Sequence, residues 1–279
     1  MNNENERQAK AGKSPESPLE RFESTWTTDL GVWIPGQGVV FRGRDLFNEL
    51  APLPWMELLM LGITGRRFAP EQVELFEQMW AVSASYPDPR IWNNRVAALG
   101  GTARSTAALA VGAATAVTQA HVYGGQADFG AIGFILRACA AVNDGRTLDS
   151  VIDEQFRAHR RIPGYGRPIV AQDERIVPLL RIAENLGLAD GQCVRIAREI
   201  EQRLVAGRKR MRMNIAGLAA ALAADQGVSP REYQAYVCLA FGAGLLACYT
   251  DAAGHPEGGF FPWRCASIAY QGPPPRAWD

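Results

Sequence analysis

Two short glycine-flanked segments hold side chains suited to carbonyl chemistry. Tyr123 precedes Gly124-Gly125, a pair that lets a ligand approach the backbone closely, and its hydroxyl can donate to an enolate or carbonyl oxygen. The competing reading is a tyrosine packed on a glycine turn. Arg167 follows Gly164-Tyr165-Gly166, and its guanidinium can hold a carboxylate or polarise a thioester oxygen through two parallel hydrogen bonds. A structural salt bridge is the alternative. Tyr165 in the same turn is a further candidate donor. Asp128, just past the Gly-Gly pair, reads either as a base or as a helix N-cap. Arg208-Lys209-Arg210-Met211-Arg212 is the densest basic run. It can attract ligand phosphates, or it is a solvated helix end whose cations favour the C-terminal dipole.

Composition narrows the classes these residues can serve. The 279 residues carry 29 Lys+Arg against 29 Asp+Glu, so no net charge draws the chain to nucleic acid or an anionic membrane. The basic run has no interleaved aromatics, and no nucleic-acid partner is expected. Hydrophobic residues at 47% and charged residues at 21% exclude global disorder. Apolar stretches read as broken before bilayer-spanning length, and residues 1–20 are polar with no apolar leader core. A disordered tail over 1–20, a cytoplasmic location and no membrane partner are therefore expected. Cys139, Cys193, Cys238, Cys248 and Cys265 lie far apart in sequence, which reads as reduced, mostly buried thiols. Three scattered histidines, His121, His159 and His255, give no expected metal site. Phosphate-loop, dinucleotide-binding, HExxH and serine-elbow motifs are absent from the sequence.

The elements that must position these residues read as helical after one hairpin. Val32 to Phe41 surrounds Pro35-Gly36-Gln37-Gly38 and gives the hairpin signal. Leu46 to Ile63, interrupted by Pro52 and Pro54, reads as a short helix before a second one. Pro70 opens a helix carrying Val73, Phe76 and Trp80 on one stripe. Thr102 to Thr118 is Ala-rich and nearly uncharged, which suits a core or a subunit interface. Stripes through Leu148–Phe156, Ile176–Leu186 and Val194–Leu204 follow, two of them stopped by Gly187 and Gly207. Ser229-Pro230-Arg231-Glu232 combines an N-cap, a first-turn proline and a capping-box glutamate for one long helix toward Cys248. The Gly/Pro-rich tail from Gly254 reads as irregular but pinned by Trp263, Tyr270 and Trp278.

Taken in order, several segments resemble the citrate synthase superfamily, nearest its short citryl-CoA-lyase-like members. They are Arg42-Gly43-Arg44-Asp45-Leu46, Glu57 through Gly65, Tyr123-Gly124-Gly125-Gln126-Ala127, Gly164-Tyr165-Gly166-Arg167, Asp173-Glu174-Arg175, Lys209 through Asn214, and Tyr270-Gln271-Gly272-Pro273. The resemblance implies an all-α, citrate-synthase-like two-domain fold with a short N-terminal hairpin. It implies a large domain over 21–127 and 223–279, a small domain over 128–222 and a cleft between them.

In that family an aspartate removes an α-proton and two histidines stabilise the enolate and the electrophilic carbonyl. By the same resemblance these positions fall on Ala216, Tyr123 and Arg167, so the ordinary mechanism is not expected: alanine has no proton to exchange, and arginine keeps its own at neutral pH. The implied reading is a C–C lyase or condensing enzyme with Tyr123 and Arg167 as catalytic groups. Tyr165, Arg175, Asn214 and Arg264 would hold substrate carboxylates. Lys209, Arg210 and Arg212 would meet the phosphates of a coenzyme A thioester. Cys248, at the position of a family histidine, reads as buried. A homodimer, or a heterodimer with a paralogue, is implied, with the charge-poor helices as interface. The alternative is a catalytically silent binding or dimer-partner subunit.

Overall fold

The structure is a computed structural model that describes residues 27–83, 87–120, 124–167, 172–207, 211–257, 259, 265–267 and 269–274. The tail expected over 1–20 lies outside them. Contacts divide the chain into two compact units, Met1–Leu58 and Leu59–Asp279.

In the first unit the hairpin forms as expected. Strand β1 (Gly31–Ile34) pairs antiparallel with β2 (Gly38–Phe41), Ile34 opposite Gly38. A third strand not expected from the sequence, β3 (Arg44–Asp45), adds to β2. Asp45 then accepts the N–H groups of Phe47 and Asn48 at 2.8 and 3.0 Å, capping a π-helical turn at Leu46–Leu50.

Eleven α-helices follow among the described residues: α1 (Trp55–Thr64), α2 (Pro70–Ser83), α3 (Trp92–Thr102), α4 (Ala107–Val117), α5 (Gly125–Asn143), α6 (Leu148–His159), α7 (Ile176–Asn185), α8 (Gln192–Ala206), α9 (Ile215–Asp225), α10 (Pro230–Ala240) and α11 (Ala243–Gly254). Helix α9 is the buried centre of the second unit. Its sequence IAGLAAALAAD is apolar on every side, as a helix needs to be when α5, α8, α2 and α7 all pack on it. Asp225 ends it and accepts the N–H groups of Cys193 and Val194 at 2.8 and 3.0 Å, so the end of one helix caps the start of α8. A second cluster joins α3, α4 and α11 through Ala97, Ala114 and Leu245. Beside it Cys248 is buried against Ala98 and Ala252, as expected.

Five local expectations change. The Ala-rich helix starts at Ala107, not Thr102, because Arg104 turns left-handed (φ 58°) and Thr106 caps the new helix by accepting from Leu109 N–H. Only Ala110 and Ala114 of α4 are buried, and Leu109 is 69% exposed. The helix after Ser229 does carry the capping box, but it ends at Ala240 and α11 begins after Gly242. The stretch Pro230–Gly254 is long and apolar enough to cross a bilayer by length and composition, against the reading that no stretch is, and a third of its most apolar window is buried inside the chain. The cysteines are not all apart: Cys139 and Cys193 bring their sulfurs to 2.9 Å in the interior, while Cys238 is exposed. Tyr270 of the tail is 74% exposed, so it pins nothing, and its hydroxyl donates to Pro273 O at 2.8 Å. Trp263 and Trp278 lie outside the described residues.

The start of α9 docks on the turn at 163–167. Asn214 N–H donates to Gly164 O at 3.0 Å, Gly166 N–H to Arg212 O at 2.7 Å and Asn214 Nδ2 to Gly166 O at 2.9 Å. Gly164 has φ +86°, and a Cβ on Gly217 would fall 2.4 Å from Gly164 O. Both positions therefore require glycine. Gly217→Ala should lower stability by about 1–3 kcal/mol through overpacking, read as a fall in the urea midpoint. Gly254→Ala, where a Cβ meets nothing within 4 Å, should be near neutral.

Candidate active site

A cavity of about 350 Å³ opens in the second unit. Its wall includes the N-terminal ends of three helices: Ile91, Trp92 and Asn93 at α3, Gly124, Ala127 and Asp128 at α5, and Asn214, Ile215 and Ala216 at α9. Arg175, the N-cap residue of α7, adds a fourth. Helix N-termini carry partial positive charge and free N–H groups, so their convergence favours an anion. Tyr233, Tyr236 and Val237 of α10 close the apolar side.

Asp173 organises the polar side. Its side chain is fully buried. Oδ1 accepts Arg175 Nε at 2.8 Å and Arg175 N–H at 3.2 Å, while Oδ2 accepts Arg175 Nη2 at 2.8 Å and Ile215 N–H at 2.9 Å. Arg167 Nη1 lies 3.6 Å from Oδ1. Burial works to raise the Asp173 carboxyl, but the Arg175 fork and the Ile215 N–H outweigh it and hold the group below the usual carboxylate range. It stays ionised at neutral pH and supplies structure, not a base. Arg167 also pairs with Glu174 at 2.6 Å, and the Glu174 side chain is 58% exposed. An incoming carboxylate can replace that surface partner with little desolvation cost.

Asp128 is the other carboxyl on the cavity wall. Burial raises it to about 7, against a smaller downward pull from Arg175. Its charge in turn helps burial push the Tyr233 hydroxyl well above its usual range. Tyr236 is occupied, donating to Phe76 O at 2.5 Å. Ser83 Oγ, also on the wall, has no hydrogen-bond partner among the described residues.

The structure brings together Arg167, Arg175 and Asn214 of the expected set. It does not bring Tyr165: that residue is buried edge-on against Phe134, and its hydroxyl donates to Ala197 O at 2.9 Å, which leaves no donor for a substrate. Arg212 is exposed, away from the cavity wall. Tyr123, Arg264, Lys209 and Arg210 lie outside the described residues. Ala216, which the sequence resemblance sets at the aspartate position, does line the cavity. Sequence reading passed over Asp173 as an organiser and over Tyr233 and Tyr236. The available signals were the Asp-x-Arg spacing, which suits a local fork, and a tyrosine pair three apart on one helix face.

The fold matches known structures closely. The citryl-CoA lyase of Hydrogenobacter thermophilus superposes with a TM-score of 0.80 at 20% identity, over 91% of this chain and 97% of that one. The chain carries the citrate synthase fold. The ATP citrate lyase of Methanosaeta concilii shares it at TM-score 0.73 and 17% identity over 90% of this chain, which spans 42% of that larger protein. The citrate synthase of Thermoplasma acidophilum does so at TM-score 0.62 and 17% identity, over 82% of this chain and 60% of that one. No protein-family model and no curated protein sequence matches the chain. On this citrate synthase fold the cavity is lined by Arg167, Arg175 and Ala216.

The raised Asp128 carboxyl has a consequence for stability. Its folded value lies above its unfolded value, so the folded state holds the proton more tightly and stability falls as pH rises from about 4 through about 7. Asp128→Asn removes that penalty. It should raise the thermal midpoint at pH 8 by several degrees, at about 2–4 °C for each kcal/mol recovered in a domain of this size. The advantage should vanish toward pH 4, and a pH-independent difference would contradict the assignment.

Proposed function

We propose that this chain is a carbon–carbon lyase or condensing enzyme that acts on an acyl-CoA or related carboxylate substrate through a non-standard site. The observation that carries the reading is the cavity itself: four helix N-termini and two arginines converge on it, with one buried aspartate tying Arg167, Arg175 and the start of α9 together. Such a site suits a substrate with carboxylates and a carbonyl on which negative charge develops. The fold neighbours support the substrate class, since they include a citryl-CoA lyase and ATP citrate lyases in complex with (3S)-citryl-CoA or with citrate and coenzyme A. Cleavage is the favoured direction, because a neighbour matched along almost its whole length is a lyase. The division into a large domain over 21–127 and 223–279 and a small domain over 128–222 belongs to this reading, as does a thioester whose phosphates meet Lys209, Arg210 and Arg212.

A second reading is a catalytically silent subunit that binds a ligand or completes a dimer. Ala216 favours it, since it lines the cavity and the sequence resemblance sets it at the family's aspartate. Citryl-CoA turnover separates the two, read as acetyl-CoA release. A thermal-shift series with citrate, oxaloacetate, coenzyme A and acetyl-CoA then locates binding. Arg167→Ala should weaken carboxylate binding about 10- to 100-fold, the loss of a charged hydrogen bond. Stabilisation by citrate that survives unchanged in Arg167→Ala would remove the residue from the site.

We also propose a homodimer through the apolar faces of α4 and α11. Leu109 and Leu246 are 69% and 57% exposed, and no charged residue interrupts α4. Leu109→Asp should convert the dimer to a folded monomer in light scattering, whereas a wild-type monomer, or one recovered only with detergent or lipid, would overturn this assembly.

A further inference from the structure

We propose that Asp128 is the proton-transfer residue of the cavity, in the place left by Ala216. The inference deepens the lyase reading and rests on it. Helix α5 begins at the cavity and sets Asp128 one turn in, on the wall, with Arg175 and Tyr233 within electrostatic reach and Arg167, Asp173 and Tyr236 on the same cavity. A proton carrier must be able to give up and regain a proton near neutral pH and must not be committed elsewhere. Arg167 and Arg175 keep theirs. Asp173 is held ionised by four hydrogen bonds. Tyr236 donates to a backbone carbonyl. Among these described groups that leaves Asp128, whose carboxyl accepts from its own backbone N–H and lies within electrostatic reach of Arg175.

The step balances without a further reactant. In cleavage, the Asp128 carboxylate takes the proton from the hydroxyl on the β-carbon of a β-hydroxy acyl thioester. The C–O bond becomes a carbonyl as the Cα–Cβ bond breaks, and its electron pair passes to the thioester α-carbon as an enolate. The carboxylic acid then returns the same proton to that carbon, yielding a keto acid and the shorter thioester. Arg175, beside the carboxylate, favours its ionised form at the start of the cycle.

The test uses the full chain with citryl-CoA in single turnover and citrate as the binding probe. Asp128→Asn should bind citrate within about threefold of wild type yet cleave citryl-CoA at least about 10²-fold more slowly. Asp128→Glu should restore part of the rate, and the acidic limb of the wild-type pH profile near neutral should be missing from the residual activity of the asparagine variant. A variant that cleaves within threefold of wild type, or that keeps the limb, overturns the assignment. If wild type cleaves no citryl-CoA, the lyase reading has failed by itself, and infrared difference spectra of wild type against Asp128→Asn decide the residue. A carboxyl band titrating near neutral keeps Asp128 as a proton carrier, and a carboxylate ionised throughout pH 5–9 removes it.

Discussion

The polar side of the cavity depends on one buried carboxylate. Asp173 is fully covered yet ionised, a state that is tolerable only because the Arg175 fork and the Ile215 N–H satisfy both of its oxygens. Through those bonds it fixes where α7 begins, where α9 begins and how far Arg167 can swing. Breaking it would leave two guanidinium groups partly buried with too little counter-charge, and that costs far more than the lost hydrogen bonds alone. The small-residue surface of α9 serves the same end. It lets the turn at Gly164 lie directly on Gly217, so Arg167 emerges at the cavity and not a few ångströms away.

Residue type pointed to the arginines that line the cavity. Arginine on a tight glycine turn has little to offer a core, so Arg167 was readable as a ligand group. Arg175 and Asn214 followed from the resemblance and do line the cavity. Tyr165 shows where such reading stops. A tyrosine two residues before a cavity-lining arginine looks like a donor, since strand alternation would put both on one face, but the left-handed Gly166 between them (φ +86°) breaks that alternation, and Tyr165 turns into a bridge with Met213 and a hydrogen bond to Ala197 O. Asp128 was legible only as a choice between base and cap. Its surroundings include Tyr233 of α10, about a hundred residues later in the chain.

Helices were legible wherever local signals agree with packing. The capping box at Ser229 and the proline at Pro70 gave their starts correctly. The breaks were not. Nothing in the composition between Thr102 and Ala107 demands the left-handed turn at Arg104, which forms because Arg104 can donate to the carbonyls of Gly101, Ala253 and His255. The Cys139–Cys193 pair was hidden for the same reason: 54 residues of sequence separate two sulfurs that the packing of α5 on α8 brings together.

The site therefore combines strong, fixed positive potential with one carboxyl poised near neutral, an arrangement that favours charge transfer within a bound anion over simple storage of it. The most direct measurement is a crystal structure with citrate bound. One citrate carboxylate should displace Glu174 from Arg167, and the citrate hydroxyl should lie within hydrogen-bond distance of Asp128. An empty cavity at saturating citrate, or citrate seated away from Arg167 with the Glu174 pair intact, would contradict the assignment of this cavity as the active site.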